Sequence, residues 1–132
     1  MIKTMEQWLT GKRLLIILTT AAAVWFSFTA VMTVLRYRLN YASAYDFGIF
    51  SQMYYYMDKG LSPLTTCERD GLLSHFAVHL SPVFYVLLPL YKLVPRPETL
   101  LVLQSLVVIS GMVPLCLMAR TFCFTRLQTL CF

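Results

Sequence analysis

Charged side chains are scarce in this sequence. Of its 132 residues, 13% are charged and 58% are hydrophobic. A soluble domain carries about 25% charged and about 45–50% apolar residues, so a water-soluble globular fold is disfavoured. The 11 basic residues stand in ones and twos beside apolar segments and form no basic stripe. Nucleic acid is therefore not predicted as a partner.

Motifs of soluble enzymes are lacking as well. The sequence contains no nucleophile elbow, no Gly-rich phosphate loop and no dinucleotide-binding fingerprint. Its four cysteines include no C-x-x-C pair, so a zinc site is not predicted. These absences leave no soluble-enzyme class indicated.

The first long apolar segment, residues 14–35, has no charged residue. As an α-helix it would be about 33 Å long, enough to cross a bilayer. Lys12 and Arg13 precede it, as they would in a cleaved signal peptide, but the apolar run is longer than such a peptide has. We therefore predict an uncleaved transmembrane helix with a cytoplasmic N-terminus, residues 1–13, by the positive-inside rule.

The second apolar segment, residues 76–94, is weaker because it contains His79, Pro82, Pro89 and Lys92. It is predicted either to cross the bilayer with a kink or to be re-entrant, and the sequence leaves both alternatives open.

A third apolar segment follows directly after a short polar turn. Two prolines make residues 95–99 a turn, predicted to be cytoplasmic, and residues 100–118 form the third predicted transmembrane helix. Gly111 and Pro114 predict a kink within it. Residues 119–132 form the tail.

The predicted fold is an all-α integral membrane protein with about three transmembrane helices. Residues 36–75 form the first outer loop, in which apolar residues at helical spacing predict a short amphipathic interfacial helix at about 46–58. The lipid bilayer is the predicted partner, and the predicted location is the cell membrane, as a multi-pass protein.

Three polar residues in and after this loop are candidates for chemistry. Asp46 would cap the short helix in its ordinary structural role, or serve as a catalytic or metal-binding carboxylate. His75 and His79 lie four positions apart, so on a helix both rings would share one face. That spacing suits two metal ligands or a phosphate clamp, but it equally suits interfacial histidines that bind water and lipid headgroups.

Four motifs occur in a recognisable order: YDFGIFSQ at 45–52, SHFAVHLSP at 74–82, LPLY at 88–91 and LVLQS at 101–105. This order resembles the predicted membrane-protein family called domain of unknown function 2079. The resemblance covers roughly residues 41–120.

The resemblance implies a function at the membrane surface. That family is similar to the GT-C class of membrane glycosyltransferases, which use a polyprenyl-phosphate-linked sugar. By resemblance, Asp46 would be the general base on the acceptor hydroxyl, or would hold a divalent cation, Mg²⁺ or Mn²⁺, together with His79. His75, His79 and Gln52 would contact the substrate or its phosphate.

Members of that family are much longer than this chain, so the chain is expected to be an N-terminal fragment that is inactive alone. One alternative is a small non-enzymatic membrane protein that binds partner helices through Ser105, Ser110 and Gly111. A transporter fragment is disfavoured, because Gln104 alone is available to line a path across the membrane.

Overall fold

The computed structural model describes residues 10–41 and 44–131, and it is 72% helical. The predicted cytoplasmic N-terminus, 1–13, lies mostly outside the described residues. The helices are α1 (Gly11–Arg38), α2 (Ala44–Asp58), α3 (Val83–Leu93), α4 (Pro97–Ser110), α5 (Met112–Thr121) and α6 (Arg126–Cys131), and the strands are β1 (Leu64–Thr65) and β2 (Leu73–Ser74).

Two helical segments are long and apolar enough to cross a membrane in the part of the chain that the structure describes. They are α1, with 28 residues, and the 25-residue segment Pro97–Thr121 formed by α4 and α5. Only 6% of the most apolar window of α1 is buried, and 11% of that of the second segment. The core helix of a soluble protein would be mostly buried, so these exposed apolar surfaces suit contact with lipid. The structure thus has two candidate spans against the predicted three.

Hydroxyl groups on α1 donate to the helix's own backbone. Thr19 Oγ1 donates to the Leu15 carbonyl at 2.8 Å, and Ser27 Oγ donates to the Ala23 carbonyl at 2.8 Å. A hydroxyl that is satisfied within its own helix can enter hydrocarbon without an unpaired polar group.

The second span is interrupted at Gly111, the position at which the sequence predicts a kink. Pro114 has no N–H for the Ser110 carbonyl, and its ring crowds that carbonyl. In the turn before Pro114, the Gly111 N–H donates to the Val108 carbonyl at 3.2 Å, and Ser110 Oγ donates to the Val107 carbonyl at 2.6 Å. The missing backbone bond therefore separates α4 from α5.

The predicted helix at 76–94 is shorter in the structure. His75–Ala77 forms a 3₁₀ turn, and α3 begins only after Pro82 and has 11 residues. Proline disfavours helical backbone in the residue before it, so the helix starts after Pro82 and does not continue from the 3₁₀ turn. At 1.5 Å per residue α3 is about 16 Å long, roughly half the thickness of the hydrocarbon core.

In the part of the chain that the structure describes, there are two compact units, one within residues 1–31 and 104–132 and the other within residues 32–103. The core of the second unit is formed by α2, α3 and the start of α4 and consists of buried Met53, Tyr54, Met57, Tyr91 and Leu103. Met53 and Met57 lie one turn apart on one face of α2, as a helix that buries one stripe requires. The helix predicted at about 46–58 therefore packs its apolar face against protein.

A small antiparallel ladder, which the all-α prediction did not include, joins β1 to β2 in the same unit. Leu64 pairs with Ser74, and Thr65 pairs with Leu73. Strands of two residues are too short to show the alternation of apolar and polar residues by which a strand is predicted.

Tyr54 gives this core a dependence on alkaline pH. Its hydroxyl donates to the Phe84 carbonyl at 3.1 Å, and burial raises the pKa of Tyr54 from 10.0 to about 12. Below pH 10.0, the pKa of the phenol in the unfolded chain, Tyr54 is neutral in both states and its full stabilisation is present. As the pH rises from 10.0 to about 12, the phenol ionises in the unfolded chain before it does in the folded chain, so the free energy of unfolding falls. We expect denaturant titrations to show stability falling across this interval in the wild type, and a smaller fall in Tyr54→Phe.

Candidate functional site

The side chain of Gln52 fixes the loop after β1 onto α2. Its Oε1 accepts from the Thr66 backbone N–H at 2.8 Å and from Thr65 Oγ1 at 3.2 Å, and its Nε2 donates to Thr66 Oγ1 at 3.1 Å. Both ends of the amide are therefore occupied by the protein. The structure places Gln52 in a loop-anchoring position, where the resemblance implied a substrate contact.

His75 is buried beside Glu68. The imidazole Nδ1 lies 2.9 Å and 3.0 Å from the two Glu68 carboxylate oxygens, and His75 is 3% exposed. Nδ1 carries the donated proton here, because a carboxylate only accepts hydrogen bonds. The ring of His75 is thus oriented by Glu68 and enclosed by protein.

Aromatic rings complete the surroundings of His75. Phe50 meets the imidazole edge to face, with ring centroids 5.7 Å apart, and Phe84 lies 5.8 Å from it. Phe50 belongs to the motif at 45–52 and His75 to the motif at 74–82, so these two motifs meet in the fold. Such aromatic contacts add about 0.5–1.5 kcal/mol each to the packing.

His79 lies beside His75 but is exposed. The two ring centroids are 5.8 Å apart, and the His79 backbone N–H donates to the His75 carbonyl at 2.9 Å. The structure therefore separates the two histidines by environment: His75 is enclosed, and His79 is accessible to a ligand.

Asp46 is exposed in the first turn of α2. Because α2 begins at Ala44, Asp46 lies inside the first turn and not at the predicted cap position, and its carboxylate still meets the positive end of the helix dipole. Phe47, the next residue, packs edge to face on Tyr37 near the end of α1, with ring centroids 5.0 Å apart. This contact holds Asp46 close to the end of a candidate membrane span.

The predicted cation site consists of two protein donors, Asp46 and His79. Among residues 10–41 and 44–131, no group of three or more His, Cys, Asp or Glu side chains is placed to hold a metal ion. Asp46 and His79 therefore do not fit a cation held by the protein alone, and Glu68 is already engaged with His75.

Glu68 is the residue whose role the sequence did not indicate. In sequence it is one of several loop carboxylates, seven positions before His75, and the intervening loop contains no regular pattern. Gly71, with φ of +136°, helps this loop to turn back, which brings Glu68 to the imidazole.

Ser105, a residue of the alternative partner-helix surface, is also enclosed. It is 6% exposed, whereas Ser110 is exposed and donates to its own helix. The small-residue surface predicted for a partner helix is thus only partly accessible.

Comparison with known proteins gives one family. The family model described as "Predicted membrane protein (DUF2079)" matches residues 35–132. No curated protein and no solved structure matches the chain.

Proposed function

Because the chain belongs to the DUF2079 family of predicted membrane proteins, we propose that its segment between the two candidate spans binds a polyprenyl-phosphate-linked sugar at the surface of the cell membrane. In this proposal the chain is a multi-pass protein that supplies the acidic residue of a GT-C-like glycosyltransferase. Asp46 is the general base that takes the proton of the acceptor hydroxyl.

The position of Asp46 is the observation that carries the proposal. Its carboxylate makes no ion pair or side-chain hydrogen bond with the residues that the structure describes, and the neighbouring Phe47 packs on Tyr37 at the end of α1. A donor whose lipid tail lies in the bilayer presents its phosphate and sugar at this depth. An unoccupied carboxylate there is available to a reacting hydroxyl, whereas one engaged in an ion pair would not be.

His79 is assigned to the donor phosphate, and His75 to positioning. A ring N–H of an exposed imidazole can donate to a phosphate oxygen, and a hydrogen bond to a charged group is stronger than one between neutral groups. His75, enclosed by Phe50 and Phe84 and oriented by Glu68, holds the backbone from which His79 projects. Gln52 fixes the loop that carries Glu68 and is not assigned a substrate contact.

Donor binding by the intact chain tests this proposal without requiring turnover. The chain is placed in nanodiscs and offered a polyprenyl-phosphate-linked sugar or the matched polyprenyl alcohol, and retention of each is measured by native mass spectrometry. We expect preferential retention of the phosphate-linked sugar. His79→Gln is expected to reduce that preference about 10-fold or more, because a hydrogen bond to a charged group contributes about 1.5–3 kcal/mol.

Gln128→Ala, an exposed change in α6, is the matched control and is expected to leave the preference unchanged. Equal retention of alcohol and phosphate-linked sugar by the wild type would contradict the proposal. That result would favour the non-enzymatic alternative, in which exposed apolar surfaces of the spans bind partner helices.

A further inference from the structure

An ion pair joins the end of the first span to the start of the second. Arg38, in the last turn of α1, donates from Nη2 to Glu98 Oε1 at 3.2 Å and from Nε to the same oxygen at 3.2 Å. Glu98 lies in the first turn of α4. The carboxyl end of α1 and the amino end of α4 therefore lie at the same depth.

A second contact region, toward the other ends of the two spans, indicates the same relative direction of the spans. Leu18, early in α1, lines one small cavity together with Leu115 and Cys116 of α5. The amino-terminal part of the first span thus faces the carboxyl-terminal part of the second. Both contact regions independently describe an antiparallel pair.

The direction of the two spans determines whether α3 can cross. If α3 crossed the bilayer between them, α1 and α4 would run parallel, and Arg38 and Glu98 would lie at opposite surfaces, about 30 Å apart. Their side chains are in contact. An antiparallel pair requires that the segment between the spans begins and ends on one side of the membrane.

The helix α3 nevertheless has an apolar surface on each side. Phe84, Leu87, Leu88 and Tyr91 face the core that α3 shares with α2. The opposite face follows helical spacing with Val83, Val86, Leu90 and Leu93, of which Val86 is 71% exposed and Leu93 is 77% exposed. Lys92, also exposed, is placed to extend its ammonium toward lipid headgroups.

The chain continues from this exposed face directly into the second span. Leu93 ends α3, and α4 begins at Pro97, where Glu98 meets the end of α1. The exposed face therefore begins at the membrane surface, and hydrocarbon is the partner that matches its uncharged side chains.

We propose that the chain crosses the bilayer twice as an antiparallel pair, and that α3 lies within one leaflet with Val83, Val86, Leu90 and Leu93 in lipid. The segment 39–96 begins and ends on one side of the membrane, the side on which Asp46 and His79 lie. This selects the re-entrant alternative for the segment 76–94 over a third span.

Cysteine accessibility tests the number of crossings. The native cysteines are changed to serine, and single cysteines are introduced at the exposed positions Lys12, Ser62, Arg96 and Gln128. A membrane-impermeant maleimide is applied to sealed vesicles of known orientation and, separately, to permeabilised ones. We expect Ser62→Cys and Arg96→Cys to react from one side, and Lys12→Cys and Gln128→Cys from the other.

The position of Arg96→Cys decides between the topologies, because Lys12 and Ser62 lie on opposite sides in both. Labelling of Arg96→Cys together with Lys12→Cys, and of Gln128→Cys together with Ser62→Cys, would overturn the proposal in favour of three crossings. Since the labelling needs no sugar donor, its outcome is separate from that of the donor-binding experiment.

Depth within the leaflet is tested by fluorescence. The native tryptophans, Trp8 and Trp25, are changed to phenylalanine, and Val86→Trp is introduced on the exposed face. Lipids brominated near the headgroup are expected to quench Val86→Trp at least twice as strongly as lipids brominated near the chain end. Absence of quenching by either lipid, or stronger quenching by the deep bromines, would overturn the placement of α3.

Discussion

Asp46→Asn is expected to lower sugar transfer about 100- to 10,000-fold, the usual contribution of general acid–base catalysis. The test uses a full-length member of the DUF2079 family in which residues 35–132 of this chain replace the matching segment. Asn keeps the size of the side chain but cannot accept the proton of an acceptor hydroxyl. Transfer of labelled sugar from the polyprenyl-phosphate donor is measured in membranes that contain equal amounts of inserted protein.

Structural and chemical roles of Asp46 give different results in this experiment. If the carboxylate acts only on the helix dipole, its loss weakens α2 by about 0.3–1 kcal/mol, and transfer changes little. Asp70→Asn, which removes another exposed carboxylate from the same segment, is the matched control and should stay within twofold of the wild type. Retention of more than a fifth of the transfer rate by Asp46→Asn would refute the assignment of the base.

Glu68→Ala is expected to lower the free energy of opening of the segment around His75 by about 2–3 kcal/mol. The side chains of Glu68 and His75 are 12% and 4% exposed, so the imidazole would lose its partner where water cannot fully replace it. Hydrogen exchange of the His79 backbone N–H, which donates to the His75 carbonyl, reports this opening.

Glu68→Gln separates the hydrogen bond from the charge. Its amide oxygen still accepts from Nδ1, so we expect it to recover about half of the lost protection. Asp70→Ala, two positions away and exposed, should leave exchange unchanged. Equal protection in Glu68→Ala and Asp70→Ala would show that the buried pair does not hold this segment closed.

Long apolar segments were predicted from the sequence because their signal is local. The uncharged run at 14–35 lies inside α1, and the segment at 100–118 lies inside Pro97–Thr121. The prediction of a mainly helical membrane protein with apolar spans is confirmed at that level. The segment at 76–94 has a similar apolar content, but Pro82 restricts its helix to 11 residues, and a count of apolar residues does not register that restriction.

Contacts between distant residues could not be predicted in this way. Arg38 and Glu98 are 60 positions apart in the sequence. Gln52 and Thr66 are 14 positions apart, and their hydrogen bond depends on the fold of the chain between them. The motifs identified the family, but they did not distinguish residues that hold the loop, such as Gln52, from residues that face outward, such as His79. That distinction depends on which side chains are buried. In a segment without regular periodicity, burial cannot be predicted from the neighbouring residues in the sequence.

The interruption at Gly111 also affects how the protein responds to bilayers of different thickness. The uncharged stretch of α1, residues 14–35, would measure about 33 Å as a straight helix, slightly longer than a hydrocarbon core of about 30 Å. The uninterrupted α1 accommodates such an excess by tilting or by thickening the bilayer around it. The second span lacks one backbone hydrogen bond beside Pro114, so it bends there at low cost and can keep Glu98 beside Arg38 while its other half changes inclination. A change in membrane thickness would thus alter the inclination of the second span beyond Gly111, and the arrangement of the segment that carries Asp46 and His79 would be unaffected.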